Sequence, residues 1–151
     1  LRGEKVELVT EFAKELVYSE DYVGVSNQLY ILGVQDQRLA RLVGRVEWAI
    51  TDSPLPLALA YATGEYMPWM ERTVFGAWWR YQNYNFLLHR AKPFQQYGRM
   101  HTEEDARVLR RSIVRLAQQY AQQAPLHEIV ADHRAPHEIA AKIGLWDGAE
   151  L

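Results

Sequence analysis

Short apolar runs alternate with segments of helical periodicity along the chain. Residues 46–51 form a nearly continuous apolar run, as expected of a strand that is covered on both faces. We predict strands over residues 6–10, 46–51, 84–88 and 126–131. Strands that are separated by helices favour a parallel sheet, because a parallel crossover needs an intervening helix.

The segments between the strands carry apolar residues at intervals of three and four, which indicates amphipathic helices. We predict a loop over 19–24 and helices over 11–17, 26–43, 55–62, 68–81, 103–122 and 136–143. Ser53 and Pro54 are typical of a helix start, Thr102 opens a capping box, and Gly44 and Gly144 are typical of helix stops. We therefore expect a single α/β domain over residues 1–151, with a parallel, doubly wound sheet and helices on both faces.

The first five residues resemble the end of a helix that Gly3 terminates. The body of that helix is not in the sequence. We expect one strand and most of one helix, about 25 residues by βαβ dimensions, to precede Leu1.

Composition narrows the classes of function. The chain has 151 residues, 48% of them hydrophobic and 24% charged, which is ordinary for one globular domain. A net charge of −2 disfavours nucleic acid as a partner, and the absence of cysteine excludes disulfides and thiolate zinc sites. No apolar run approaches the roughly 20 residues that span a bilayer. We expect a cytoplasmic protein that does not bind membranes. The Trp and Tyr residues of 66–86 indicate a packed helical face, with an interface between copies as the alternative.

Asp52 follows a predicted buried strand, at the edge of an α/β sheet where ligands bind. A carboxylate there commonly holds a Mg²⁺ that bridges nucleotide phosphates, although an acid beside a helix start also favours the helix dipole. Residues 90–101 form a basic loop with Pro and Gly, in which Arg90, Lys92 and Arg99 could bind phosphate and close as a lid. A solvated basic loop is the alternative.

Glu11 ends the first predicted strand, in the position that matches Asp52 one unit later. It could orient an acceptor hydroxyl, or it could be a simple first-turn acid. Arg107 is the cation of the long helix nearest the lid and the only one there that we expect to contact a phosphate, whereas the other arginines of that helix form its solvated face. The residues that could line a base or sugar pocket, with core packing as the alternative for the first of them, are Phe12, Gln28, Tyr30 and Gln35. We assign only structural roles to His133 and His137 as a pair, and to Trp78 and Trp79.

Several segments in fixed order carry a family resemblance over nearly the whole chain: Val9-Thr-Glu-Phe-Ala-Lys14, Gln28-Leu-Tyr30, Ala49-Ile-Thr-Asp-Ser-Pro54, Lys92-Pro-Phe and Gly98-Arg-Met-His-Thr-Glu-Glu-Asp105. The chain resembles the P-loop kinase and ATPase proteins of phages, and is similar to nucleoside monophosphate kinases and nicotinamide-riboside kinases. The resemblance implies a five-stranded parallel sheet, ATP and Mg²⁺ as cofactors, and phosphoryl transfer to a nucleotide or nucleoside.

The resemblance also implies roles for individual residues. Asp52 matches the acid that holds the metal, and Glu11 matches the acid that faces the acceptor. The lid cations would be Arg90, Lys92 and Arg99. The adenine would lie near Ala131, Asp132, His133 and Arg134.

The chain departs from this family in one large respect. It contains no Gly-x-x-x-x-Gly-Lys-Ser/Thr loop, and the strand that carries this loop in the family is the central one. We therefore expect a sheet without its middle strand. The alternative is a non-catalytic nucleotide-binding or structural phage protein with a kinase-like fold.

Overall fold

The computed structural model describes residues 3–62, 67–91, 103–121 and 125–146. Within them the strands are β1 (Val6–Val9), β2 (Trp48–Thr51), β3 (Asn85–Arg90) and β4 (Leu126–Ala131). The helices are α1 (Phe12–Tyr18), α2 (Tyr22–Ser26), α3 (Gln28–Ala40), α4 (Leu57–Tyr61), α5 (Met67–Trp78), α6 (Glu103–Ala121) and α7 (Ala135–Lys142). Each predicted strand is present, and the protein belongs to the mixed α/β class.

The described strands form two separate sheets of two strands each. β1 pairs with β2 in parallel, from Val6 opposite Trp48 to Val9 opposite Thr51. β3 pairs with β4 in parallel, from Asn85 opposite Leu126 to Arg90 opposite Ala131. The parallel direction within each pair is as predicted. No ladder joins β2 to β3 among the described residues, so these strands form two half-sheets, and the doubly wound sheet of the prediction is not confirmed.

The main core lies between helices. α5 brings three buried side chains, Met70, Val74 and Trp78, to one face because they are spaced four residues apart. The other members of this buried cluster are Leu32 of α3, Leu55, and Ala58 and Leu59 of α4. Leu116 of α6 packs against it. The cluster therefore joins the helix that follows β2 to the helix that precedes β4.

One face of the first half-sheet is apolar and open. Ile50 of β2 is 55% exposed, and its register partner Leu8 of β1 is 66% exposed. This corrects the prediction that residues 46–51 are covered on both faces. The apolar run is real, but the described residues leave Ala49 and Ile50 exposed and cover the half-sheet near its carboxyl end, where Val9 is buried.

Two helix boundaries differ from the prediction for local reasons. Asp21 caps α2 by accepting a hydrogen bond from the Gly24 amide at 2.8 Å, so part of the predicted loop 19–24 is helical. Asn27 then accepts from the Tyr30 amide at 3.1 Å and caps α3, so the helix predicted over 26–43 begins at Gln28. The side chains of Asp21 and Asn27 thus place a short extra helix before the predicted one.

The helix start predicted at Ser53 and Pro54 lies three residues too early. The amide of Ser53 donates to Thr51 Oγ1 at 3.0 Å, and α4 begins only at Leu57, whose amide bonds the Pro54 carbonyl at 2.8 Å. Ser53 is buried rather than serving as a cap. The proposed cap Thr102 lies outside the described residues, whereas the glycine stop at Gly144 is confirmed by its φ of 78° just after α7.

Arg90 is also placed differently from the prediction. It is the last residue of β3 and stands opposite Ala131, so the basic segment begins within the strand. In the part of the chain that the structure describes, no helix has both the length and the apolar character to cross a membrane.

Candidate functional site

The first half-sheet brings two acidic loops to one edge. Because β1 and β2 are parallel and end opposite each other at Val9 and Thr51, the segments that leave them start side by side. Glu11 lies in the first segment and Asp52 in the second. This is the carboxyl edge of the strands, where α/β proteins bind their ligands.

Gln35 of α3 fastens these two segments together. Its side chain is only 2% exposed. Its Nε2 donates to the Thr10 carbonyl and to Thr51 Oγ1, both at 3.3 Å, and its Oε1 accepts from the Phe12 amide at 3.3 Å. The amide that we proposed for base or sugar recognition is therefore engaged by the protein itself, where it fixes the spacing of the two loops.

Asp52 stands differently from its neighbours. Thr51 Oγ1 accepts hydrogen bonds from Gln35 and from the Ser53 amide, and Ser53 is buried. Asp52, between them, is exposed. No described residue forms a hydrogen bond or an ion pair with its carboxylate. Asp52 is thus a carboxylate on a fixed backbone that has its lone pairs directed to solvent and open to a ligand.

Glu11 lies at the N-cap position of α1, with a φ of −67° and a ψ of 117°, and its side chain makes no capping bond. It is half-buried. Its position at the start of α1 also agrees with the alternative of a simple acid that favours the helix dipole.

A second polar group, which the sequence analysis missed, lies beside Glu11. Arg38 of α3 donates from Nη1 and Nη2 to the two carboxylate oxygens of Glu15, at 2.8 Å and 2.6 Å, and from Nη1 to the Thr10 carbonyl at 3.2 Å. The hydrogen bond from Arg38 lowers the pKa of Glu15, and the bond to Glu15 raises the pKa of Arg38. Arg38 follows the buried Gln35 by three residues on one helix face, which is the signal that could have revealed it.

A cleft of about 240 Å³ opens at this end of β1. Its lining consists of Leu8, Val9, Thr10, Glu15, Arg38 and Arg41. The guanidinium of Arg38 is neutralised by Glu15, whereas Arg41 at the end of α3 is exposed. The cleft is therefore a polar recess with one further cation at its rim.

Aromatic rings flank the same edge. Phe12 and Tyr30 meet edge to face, with ring centroids 5.1 Å apart and an interplanar angle of 84°. The guanidinium carbon of Arg38 lies 5.0 Å from the Phe12 ring centroid. The remaining candidate for this pocket, Gln28, donates instead to the Val25 carbonyl at 3.2 Å and holds the turn between α2 and α3.

The second half-sheet ends in a self-contained turn. Asp132 follows β4 and accepts from the amide of Arg134 at 2.8 Å and from its Nη2 at 3.1 Å. The backbone N–H of Arg134, more than its guanidinium, lowers the pKa of Asp132. His133 between them is exposed, and Ala131 is the last residue of β4. In the segment that we expected near the adenine, Asp132 and Arg134 thus form an ion pair with each other.

The predicted cations are only partly located. Arg107 lies on the exposed side of α6, where it pairs with Glu104 at 3.5 Å. Lys92 and Arg99 lie outside the described residues. The structure therefore brings together Glu11, Phe12, Tyr30 and Gln35, with Asp52 at the adjoining loop, and leaves the lid undescribed.

A cation at this edge would have few protein ligands. Within the described ranges, no three His, Asp or Glu side chains are grouped so that they could enclose a metal ion. Mg²⁺ does not need such a cage, because it is commonly held by one or two carboxylates together with water and substrate phosphate. The solvent-facing carboxylate of Asp52 fits this second mode.

In comparisons with known proteins, the chain matches no family model, no curated protein and no solved structure. The case for function therefore depends on the residues and geometry described above.

Proposed function

We propose that this chain forms the metal- and acceptor-facing part of an ATP- and Mg²⁺-dependent phosphotransferase that acts on a nucleotide or nucleoside. The observation that carries the proposal is the placement of Asp52. Its carboxylate has no described partner, and it follows β2 at the carboxyl edge of a parallel pair whose other loop carries Glu11. Acids placed this way serve phosphoryl transfer by positioning and charge neutralisation.

The roles of the other residues follow from their positions. In the bound state Mg²⁺ would be held by Asp52 and would neutralise charge on the phosphates. Glu11 orients the acceptor hydroxyl, and the Phe12 and Tyr30 rings offer an apolar surface to a base. Gln35 keeps the two acidic loops at a fixed separation, which lowers the cost of aligning donor and acceptor.

The proposed role of the cations is to bind phosphate. Arg90 at the end of β3 would contact transferred phosphate, together with Lys92, Arg99 and Arg107. Residues 131–134 would lie near the adenine. The sequence has no phosphate loop of the Gly-Lys-Ser/Thr type, so the proposal assigns the main phosphate cradle to polypeptide outside these 151 residues.

The test is ATP-dependent phosphorylation of a panel of nucleosides and nucleoside monophosphates by the longest natural form of the protein. We expect Asp52→Asn to lower kcat/KM by about 100-fold or more, because the metal and its phosphates lose their charged anchor. The matched control is Glu7→Gln, which removes an exposed acid from β1 on the same half-sheet.

Both variants should keep their free energy of unfolding within about 0.5 kcal/mol of the parent, because both side chains are exposed. Full turnover by Asp52→Asn would refute the proposal. So would an equal loss of activity in Glu7→Gln.

The absence of a phosphate loop favours one second candidate, a protein that binds nucleotide without turnover. Calorimetric titration with Mg²⁺ and ATP separates the two functions. Binding that Asp52→Asn weakens, with no phosphorylated product from any acceptor, would support the non-catalytic function.

A further inference from the structure

We propose that His89 is a phosphate-accepting residue, whose Nδ1 takes a phosphoryl group from a small activated donor such as an acyl phosphate or a phosphoramidate. The inference does not depend on the phosphotransferase function proposed above. It begins with a cluster of three side chains on the second half-sheet, which the candidate site does not include. The cluster consists of His89 on β3, Glu128 on β4 and Arg110 on α6.

The parallel register brings His89 and Glu128 together. Leu87 stands opposite Glu128, and His89 follows Leu87 by two residues, so His89 and Glu128 are diagonal neighbours on one face of the half-sheet. The Nε2 of His89 lies 2.7 Å from Glu128 Oε2. From α6, which packs against β4, Arg110 reaches the other ring nitrogen, with its Nη2 3.0 Å from Nδ1. The ring is thus held between a carboxylate and a guanidinium.

These two partners determine which ring nitrogen carries the proton. A guanidinium has only donors, so Arg110 donates and Nδ1 accepts with its lone pair. The proton of the neutral ring is therefore on Nε2, where it donates to the Glu128 carboxylate. A neutral imidazole in this tautomer has its nucleophilic lone pair on Nδ1. The cluster thus selects one nitrogen of His89 for reaction.

The surroundings favour the ring itself as the nucleophile over two other uses of a histidine. The sequence has no cysteine, and no hydroxyl of the described residues bonds the His89 ring, so the ring has no neighbouring side chain to activate as a general base. A metal site is disfavoured because Arg110 places a positive charge beside Nδ1. A purely structural role explains little, because exposed ion pairs contribute little to stability.

A donor can reach this nitrogen from solvent. The side chains of His89 and Glu128 are 35% and 56% exposed, and Arg110 is exposed on α6. The long side chain of Arg110 can leave Nδ1 and bind the oxygens of the arriving phosphate. Its planar fork of N–H donors suits phosphate oxygens and offsets their charge. Glu128 bonds the opposite ring nitrogen, so its negative charge lies away from the phosphoryl group.

The transfer step balances without an oxidant or a reductant. The lone pair of Nδ1 attacks phosphorus and forms the N–P bond, while the bond from phosphorus to the leaving group breaks and the leaving group takes its electron pair. An acyl phosphate releases a carboxylate, and phosphoramidate, whose nitrogen is protonated in neutral water, releases ammonia. The ring then carries phosphorus on Nδ1 and hydrogen on Nε2, and the Glu128 carboxylate stabilises the positive charge that develops on it.

The experiment treats the full chain with potassium phosphoramidate in one arm and with acetyl phosphate in the other. Mass spectrometry of peptides prepared at alkaline pH, which preserves N–P bonds, locates the phosphate. We expect His89 to react at least about 10-fold faster than His137, an exposed histidine whose ring bonds no described carboxylate or guanidinium. Selective reaction with either donor supports the proposal and identifies the leaving group that the site accepts.

Arg110 is tested by the rate of this reaction. Arg110→Gln should slow phosphorylation of His89 by about 10-fold, because the charged donor to the phosphoryl oxygens is lost. Arg110→Lys should slow it less, because a lysine keeps the charge without the fork. Neither variant should change the rate at His137.

Glu128 is a positioning residue, so its test is the choice of nitrogen. In protein with 15N in its histidine rings, NMR shows which ring nitrogen is bonded to phosphorus. We expect Nδ1 alone in the parent and in Glu128→Gln, which keeps an acceptor for Nε2, and a mixture of both nitrogens in Glu128→Ala. A merely structural role for Glu128 would leave this ratio unchanged.

Several results would overturn the proposal. They are equal rates at His89 and His137, reaction of the parent at Nε2, an unchanged rate in Arg110→Gln, and the absence of phosphohistidine with both donors. The substituted side chains of Arg110 and Glu128 are exposed, so these outcomes do not depend on a loss of fold.

Discussion

The two half-sheets are held together by different means. β1 and β2 share a ladder of four residue pairs, and the buried Gln35 amide and the Arg38–Glu15 pair secure the segment that follows β1. β3 and β4 share six pairs, and their inner contact is apolar, centred on Ile129, which is 2% exposed. In the first half-sheet, side-chain hydrogen bonds from α3 hold the loops that follow the strands. In the second, the turn after β4 is held by hydrogen bonds within the turn.

This difference decides where geometry is fixed. At the first half-sheet, hydrogen bonds from one helix reach the loops of both strands, so the backbone beside Asp52 and Glu11 has little freedom. At the second, the Asp132 carboxylate accepts from the amide and the guanidinium of Arg134 within a single turn. We therefore assign the positioning of the phosphotransferase groups to the first half-sheet.

The largest loss of stability should come from a change in the second half-sheet, where the contact between β3, β4 and the rest of the protein is apolar. Ile129→Ala should lower the free energy of unfolding by about 3 kcal/mol, because it removes packed methyl groups and leaves a cavity. Urea denaturation measures this loss. The control is Val130→Ala at the next residue, where the side chain is 53% exposed and the expected loss is under about 1 kcal/mol. Similar losses for both would contradict an inner contact centred on Ile129.

A smaller loss of stability should follow from removing the hydrogen bonds of the Gln35 side chain. Gln35→Ala should cost about 2 kcal/mol, because the Phe12 amide loses its partner in a part-buried setting and the Thr10 carbonyl keeps only its bond from Arg38. Hydrogen exchange should show the Phe12 amide opening more often. The control is Gln37→Ala, which removes an exposed amide from the same helix and should be neutral.

If Gln35→Ala and Gln37→Ala change the free energy of unfolding equally, the loops keep their positions without the hydrogen bonds of Gln35. The comparison between the half-sheets would then rest on the apolar contact alone.

The strands within each half-sheet could be predicted from the sequence better than the arrangement of the two half-sheets. Val6–Val9 and Trp48–Thr51 were recognisable because β-branched and apolar residues dominate each run, and the parallel pairing follows from the helices between them. The missing ladder between β2 and β3 leaves no mark on the residues of these strands, and only the absence of a phosphate-loop motif led us to expect a sheet without its middle strand. An apolar run such as that around Ile50 is the same whether its cover is present or not, so the pattern predicted a covered strand that the described residues leave open.

The candidate site was predictable to a similar degree. Asp52 and Glu11 were found because a strand end is visible in the sequence, and strand ends meet at one edge. The role of Gln35 was not, because an amide on a helix face has the same pattern whether it meets a ligand or two backbone loops. Arg38 was missed for a related reason: its partner Glu15 lies 23 residues away, and only the fold brings them together.

The smallest effect concerns the charge pair of the first half-sheet. Arg38 lowers the pKa of Glu15 in the folded state, so the carboxylate contributes stability above the usual pKa of about 4.5, and this contribution is lost as the pH falls through the lowered value. Glu15→Gln should therefore cost about 0.5–1 kcal/mol at pH 7, and this cost should shrink as the pH falls through the lowered pKa of Glu15. Urea denaturation across this pH range measures the difference, with Glu7→Gln as the control. A loss that stays constant down to low pH would mean that Glu15 acts through packing or neutral hydrogen bonds, and the polar character assigned to this half-sheet would then rest on Gln35 alone.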